Sequence, residues 1–153
     1  MKVAGIMRRI VHTVRTGDNL ASASRHMASE NVSLLPVVEN APVEESHLRK
    51  DVIENLGFLP MVEEEVLVGV ITTRDIVVRC VAQGKNPTET PVSAIMSQEF
   101  SCCQEEDDID NALATMEKDK VRRLFVLNRE KHLVGIISRH DIWSIRHDAT
   151  GPR

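Results

Sequence analysis

Two short segments of the chain place a hydroxyl and a carboxylate at the same spacing. Thr72 precedes Asp75 by three residues, and Ser138 precedes Asp141 by three. Each pair begins a helical pattern and fits a capping box, in which both side chains bind backbone N–H groups at a helix start. The same atoms also suit a nucleotide. A helix start with a hydroxyl attracts phosphate, and a carboxylate can accept hydrogen bonds from both ribose hydroxyls.

A glycine stands at the same distance before each pair. Gly69 and Gly135 each precede the hydroxyl by three residues and lie within an apolar run. The missing side chain would let a ligand or a neighbouring backbone come close. Capping alone does not require such a glycine, so the capping and the nucleotide-binding interpretations both remain open on these residues.

The two segments belong to a longer internal repeat, which governs the interpretation of every local motif. Residues 3–39 align without a gap on 92–128, an offset of 89, and 67–76 align on 133–142, an offset of 66. The offsets differ by 23 residues, so the first copy has an insertion of that size within about 40–66.

Each copy has the same predicted order of elements. An apolar run, an amphipathic helix, two further runs rich in β-formers and a closing helix follow one another, which predicts β-α-β-β-α twice and an α/β (α+β) fold. Asp18 and Asp107 stand at the starts of the amphipathic helices. Aspartate is a favoured N-cap residue, so we predict that these two cap the helices.

The insertion contains a competing strand. The run "LPMVE" (59–63) nearly repeats "LPVVE" (35–39), so either could pair with "LVGVIT" (67–72). The ungapped alignment favours residues 34–39 as the strand, and the other pairing stays open.

A connector separates the two copies. Gly84 and Pro87 end the first closing helix, because neither residue continues a helix readily. We therefore predict the first repeat over 1–84, a linker over 85–91 and the second repeat over 92–148.

Composition argues against several classes of protein. The net charge is −4 and the chain has three Phe, one Trp and no Tyr, so the basic and aromatic surface typical of nucleic-acid binding is absent. The start has no apolar stretch of signal-peptide length, and nothing approaches the ~20 apolar residues of a membrane span.

The three cysteines form no disulfide framework. We find no nucleophile–base set, metal constellation or P-loop, so we predict a cytoplasmic, non-catalytic protein that binds no membrane.

Four motifs, each present twice, together carry a family resemblance. They are V-x-x-I-M, D-x-[LI]-x-x-A-x-x-x-M, V-x-x-L-[PF]-V and G-[VI]-I-[ST]-x-x-D-I. The pattern resembles a tandem pair of cystathionine-β-synthase (CBS) domains, called a Bateman module. The resemblance covers nearly the whole chain except the insertion and the last few residues.

The resemblance implies a fold, a function and partners. Two repeats would pack through their sheets with pseudo-twofold symmetry and form two clefts for adenosine nucleotides. AMP, ADP and ATP, and in some members NAD(H) or S-adenosylmethionine, would be ligands, with no cofactor required. The protein would be a non-catalytic regulatory module and a homodimer that passes nucleotide occupancy to a regulated protein partner. The alternative is an interaction module whose clefts stay empty.

The resemblance also assigns residues by position. Asp75 and Asp141 would hold ribose, and Thr72 and Ser138 would contact phosphate. The remaining positions would line the adenine pocket (Thr13, Val14, Cys102, Cys103) or contact phosphate (Arg122, Arg123, Arg74, His140).

The two clefts are not expected to be equivalent. The first repeat has Ser33 and Leu34 where the second has Arg122 and Arg123. The insertion lies beside the first cleft and could cover it. We therefore expect the second repeat to be the better phosphate site.

Overall fold

Two β-sheets organise the chain, and each carries the helices of one repeat. A computed structural model describes residues 1–9, 12–42 and 63–148. The strands are β1 (Arg8–Arg9), β2 (Val14–Arg15), β3 (Leu34–Pro42), β4 (Glu63–Thr72), β5 (Cys102–Gln104), β6 (Arg123–Leu127) and β7 (Leu133–Ser138). The helices are α1 (Leu20–Glu30), α2 (Thr73–Asp75, which continues as the π-helical Ile76–Val81), α3 (Ile109–Asp119) and α4 (Arg139–Asp148).

The two sheets share one pattern of pairing. In the first, β2 runs parallel to β3 and β3 pairs antiparallel with β4. In the second, β5 runs parallel to β6 and β6 pairs antiparallel with β7. The predicted fold, β-α-β-β-α written twice, is therefore confirmed.

Of the two candidate strands, the earlier one, residues 34–39, pairs with β4. Strand β3 begins at Leu34, and its residue Leu35 lies opposite Ile71 on β4. The prediction that 34–39 form the strand is confirmed. The predicted insertion lies mostly outside the described residues, but both of its ends extend this hairpin, since Pro42 pairs with Glu63.

The segments that precede each repeat are exchanged between the two sheets. Residues 3–9 pack on the second repeat: Val3 N donates to Asp107 O (2.8 Å), and β1 pairs antiparallel with β7. Residues 92–97 pack on the first repeat: Val92 N donates to Asp18 O (2.7 Å). Packing thus groups the N-terminal segment with the second repeat, whereas the sequence repeat places it before the first.

Aliphatic side chains fill one core in each repeat, as the scarcity of aromatics requires. Both cores lie between a sheet and its amphipathic helix, which buries three residues at helical spacing on one face. The buried helix residues are Leu20, Ala23 and Met27 in the first core and Ile109, Ala112 and Met116 in the second. Burying each large aliphatic side chain contributes about 1.5–3 kcal/mol, so these faces fix the helices on their sheets.

The predicted N-caps are wrong by one residue. Asn19 caps α1, where its side-chain oxygen accepts from Ser22 N at 2.8 Å, and Asp108 occupies the cap position of α3. Asp18 instead accepts from Arg15 N at 2.9 Å. It therefore closes the strand-to-helix turn, as Asp107 does in the second repeat.

Within residues 1–9, 12–42 and 63–148, no helix is long and apolar enough to cross a membrane.

Candidate functional site

Both predicted capping boxes form. Ser138 Oγ accepts from Asp141 N at 3.1 Å, and Asp141 Oδ2 accepts from Ser138 N at 3.0 Å. Thr72 and Asp75 exchange the same two bonds at 3.1 and 2.9 Å. The capping interpretation is thus correct for both repeats. It uses one oxygen of each carboxylate and holds that carboxylate at the helix start.

The other oxygen of each carboxylate faces an arginine. Asp141 Oδ1 lies 3.3 Å from Arg8 Nη2, and Asp75 Oδ1 lies 4.0 Å from Arg79 Nε. Only 12% and 15% of the two aspartate side chains are exposed. Sequence analysis did not assign either arginine to the site. The four-residue spacing of Asp75 and Arg79 on one helix could have indicated that pair, but Arg8 reaches Asp141 only through the exchanged segment.

The helix starts offer fewer N–H groups to a ligand than the sequence suggests. Arg139 N donates to Arg122 O at 2.9 Å, and Asp141 N is bound to Ser138 Oγ. The first repeat is the same, since Thr73 N donates to Ser33 O at 2.9 Å. Two of the first three amides are therefore used internally in each helix, and an anion at this end would depend mainly on side chains.

The repeated glycines serve the exchanged segments. A Cβ atom on Gly135 would lie 2.7 Å from Arg8 O and 2.8 Å from Met7 Sδ, and one on Gly69 would lie 2.8 Å from Ser97 O. Such distances are too short for non-bonded atoms, so both positions require glycine for the close approach of a neighbouring backbone. The glycines therefore give no independent support to a ligand.

One face of the second sheet gathers three of the predicted residues. Arg123 lies directly opposite Ser138, and Cys102 lies in the row of Phe125, two residues along β6. Side chains alternate along a strand, so these residues share the face that points away from the core residues Leu124, Val126 and Ile137. Rows two residues apart are about 7 Å apart, which is shorter than a nucleotide.

Two of the predicted adenine contacts point elsewhere. The side chains of Val14 and Cys103 are 2% and 7% exposed and belong to the hydrophobic cores. Burial, followed by the charges of Asp107 and Cys102, raises the pKa of Cys103 to about 12. Burial also raises the pKa of Cys102. Thr13, directly before β2, and Cys102, the first residue of β5, are half-buried, so they are the members of each pair that a ligand could contact.

The predicted basic residues are exposed but differ in their surroundings. Arg122 and Arg123 lie at the start of β6, next to the start of α4. His140 stacks on Trp143 with ring centroids 6.0 Å apart, and its Nε2 lies 3.4 Å from Ser144 Oγ. Its ring thus lies along the helix surface. Arg74 is exposed on the first turn of α2.

The corresponding position in the first repeat has no charge. Leu34 lies opposite Thr72 in the register that Arg123 and Ser138 occupy in the second repeat. The two helix starts thus differ in the residue that lies opposite the hydroxyl: an arginine in the second repeat and a leucine in the first.

Comparison with known proteins agrees with this doubled architecture. The family model of the CBS domain matches residues 3–45 and 92–142. The chain belongs to the CBS domain family. A CBS domain-containing protein, YhcV, from Bacillus subtilis (strain 168) is 38% identical over 88 residues, which cover 58% of this chain and 61% of that protein. The aligned part spans 42% of a second relative, from Methanopyrus kandleri, so the chain covers less than two thirds of the length of either.

Solved CBS structures have the same fold. A protein with CBS domains from Burkholderia ambifaria MC40-6 superposes with a TM-score of 0.69 at 23% identity, covering 100% of this chain and 98% of that one. The CBS domain pair of MJ0100, in complex with 5′-methylthioadenosine and S-adenosyl-L-methionine, superposes with a TM-score of 0.66 at 20% identity, covering 99% and 98%. At these identities the likeness establishes the CBS-pair fold.

Proposed function

We propose that this CBS pair is a regulatory module that binds an adenosine nucleotide and passes its occupancy to a partner or an oligomer. The carrying observation is the corner formed by Ser138, Asp141 and Arg123. There, a fixed carboxylate and a hydroxyl lie where β7 becomes α4, and the exposed residue Arg123 lies opposite that hydroxyl on β6. The binding of 5′-methylthioadenosine and S-adenosyl-L-methionine by the similar MJ0100 pair supports an adenosine ligand.

Each group in the corner suits one part of a nucleotide. The capping box fixes the carboxylate of Asp141, so its Oδ1 can accept hydrogen bonds from ribose hydroxyls without first being ordered. Ser138 Oγ is the acceptor in its bond with Asp141 N, so its own hydrogen can be donated to a phosphate oxygen. The planar guanidinium of Arg123 can bind phosphate through two parallel hydrogen bonds.

The first repeat is expected to bind more weakly. It keeps the hydroxyl and carboxylate of Thr72 and Asp75 but has Leu34 in place of the arginine. A ligand there would find ribose contacts without the strongest phosphate contact. We therefore propose the second cleft as the tighter site for a phosphorylated ligand.

A melting screen with AMP, ADP, ATP, NADH and S-adenosylmethionine tests the proposal. A ligand that binds only the native state stabilises it by about 2.7 kcal/mol at a hundredfold excess over its Kd. For a chain of this size that corresponds to a rise in Tm of about 5–11 °C. Absence of a shift with all five compounds at millimolar concentration would refute nucleotide binding.

Substitution of Arg123 tests the assignment of phosphate to the second cleft. Arg123→Leu gives the second repeat the residue of the first, so it should weaken AMP binding and leave adenosine binding unchanged. Arg129→Leu is the matched control, because Arg129 is exposed on the same hairpin but pairs with Glu106 at 3.0 Å. An equal loss of AMP and adenosine affinity would contradict the phosphate role.

A second function, a ligand-free dimerisation module, is favoured by the surface of the closing helices. Val77, Val81 and Trp143 are 57%, 63% and 53% exposed, and Val77 and Trp143 occupy equivalent positions in the two repeats. Large apolar side chains exposed on equivalent helices of both repeats are candidates for contacts with a second copy of the chain. Under this function, sedimentation should give a dimer that is unchanged by nucleotide and lost in Trp143→Ser. Asp75→Ala and Asp141→Ala should then cost only about 1 kcal/mol each, as lost caps do.

A further inference from the structure

The N-terminal strand brings an arginine to the corner of the second repeat. Arg8 lies opposite Ile136 on β7, two residues before Ser138, and its carbonyl oxygen packs against Gly135. From this backbone position its guanidinium reaches Asp141, with Nη2 3.3 Å from Oδ1.

Arg8 contacts the oxygen of the Asp141 carboxylate that the capping box does not use. Asp141 Oδ2 is bound to Ser138 N at 3.0 Å, so the carboxylate cannot turn without breaking the capping box. The Asp141 side chain is 12% exposed and that of Arg8 is 74% exposed. The contact therefore lies on the solvent side of the carboxylate, where a ligand would approach.

The first repeat is arranged differently. The residue equivalent to Arg8 is Ser97, whose side chain has no charge. Asp75 pairs with Arg79 on its own helix, and Arg79 also donates to Ile95 O at 3.2 Å. In the first repeat the carboxylate and its arginine are thus on one helix, and the exchanged segment takes part only through the backbone carbonyl of Ile95. In the second repeat the arginine that pairs with the carboxylate belongs to the exchanged strand itself.

We propose that Arg8 is a latch on the second cleft, which competes with the ribose for Asp141 Oδ1. The latch rests on the proposed nucleotide function of that cleft. Binding displaces the guanidinium and removes a contact that holds the two-residue strand β1 on β7. Occupancy of the second cleft is thereby coupled to the docking of the N-terminal segment.

Calorimetric titration of AMP into wild type, Arg8→Gln and Arg9→Gln tests the competition. Exposed ion pairs contribute little, so Arg8→Gln should tighten AMP binding about two- to fivefold. Arg9→Gln is the matched control, because Arg9 is exposed on the same strand and its side chain points to the other face of the sheet. Weaker or unchanged AMP binding by Arg8→Gln overturns the latch. Weaker binding would make Arg8 a ligand contact instead.

Failure of the latch and failure of the proposed function give different results. If wild type and Arg8→Gln both fail to bind AMP and the other four compounds of the melting screen, the nucleotide function is refuted and the latch with it. If both bind AMP equally, only the latch falls.

Hydrogen exchange provides a second readout that does not depend on affinity. In wild type, AMP should lower the protection of the β1 amides relative to those of α3. In Arg8→Gln, AMP should leave that ratio unchanged. A rise in β1 protection on AMP binding, or the same decrease in both proteins, would overturn the coupling.

Discussion

Replacing Gly135 with alanine tests whether the repeated glycine serves a backbone contact or a ligand. The added Cβ would lie 2.7 Å from Arg8 O and 2.8 Å from Met7 Sδ. The carbonyl belongs to a paired strand, so relief requires β1 to move away from β7. Overpacking of this kind costs about 1–3 kcal/mol. Alanine recovers about 0.4–1 kcal/mol by restricting the unfolded chain, which leaves a net loss of at most about 2.6 kcal/mol and about 1.3 kcal/mol at the midpoints of the two ranges.

Chemical and thermal unfolding measure this loss. For a chain of this size, the midpoint loss corresponds to a fall in Tm of about 3–5 °C. Gly69→Ala should behave similarly, because its Cβ would lie 2.8 Å from Ser97 O. Hydrogen exchange should show the loss of protection at β1 in Gly135→Ala and around Ser97 in Gly69→Ala.

Gly17→Ala is the matched control. Nothing lies within 4 Å of a Cβ at this exposed turn position, so alanine should leave the stability unchanged or raise it slightly. The reasoning is refuted if Gly135→Ala is as stable as wild type and loses only affinity for nucleotide. That result would show that the glycine makes room for a ligand.

Two further predictions concern a buried thiol and the insertion hairpin. The pKa of Cys103 is raised from 9.0 to about 12, so its protonated form stabilises the fold fully below pH 9. That stabilisation should be lost as the pH rises from 9 towards 12. Urea unfolding between these pH values should show that the free energy of unfolding declines less in Cys103→Ala than in wild type. An equal decline in both proteins would show that the Cys103 thiol is not responsible. Arg15 donates to Asn40 Oδ1 at 2.7 Å and Glu65 Oε1 at 2.9 Å, so Arg15→Ala should cost about 0.2–1 kcal/mol per contact and speed amide exchange in residues 40–41 and 63–65. The exposed helix residue Arg25 provides the control, and unchanged exchange in Arg15→Ala would show that these contacts do not hold the hairpin.

The sequence alone determined the features that arise from contacts between near neighbours. Apolar periodicity and the ungapped alignment identified β-α-β-β-α twice and favoured residues 34–39 over the competing run, and these residues lie within the strand Leu34–Pro42. The spacing of Ser138 and Asp141 was enough to predict a capping box, because both bonds close within one helical turn. A difference between the two sites could also be predicted, because Leu34 and Arg123 differ in charge whatever the tertiary structure is.

Tertiary structure decided what depends on contacts between the two repeats. The V-x-x-I-M segment occurs twice with nearly the same side chains, so the sequence cannot indicate whether each copy packs on its own repeat or on the other. The fold exchanges them: Val3 enters the second core and Val92 the first. That choice places Arg8 on Asp141 and gives Gly69 and Gly135 their backbone neighbours. Arg8 and Asp141 are more than a hundred positions apart in the chain. No local sequence pattern can therefore predict their contact.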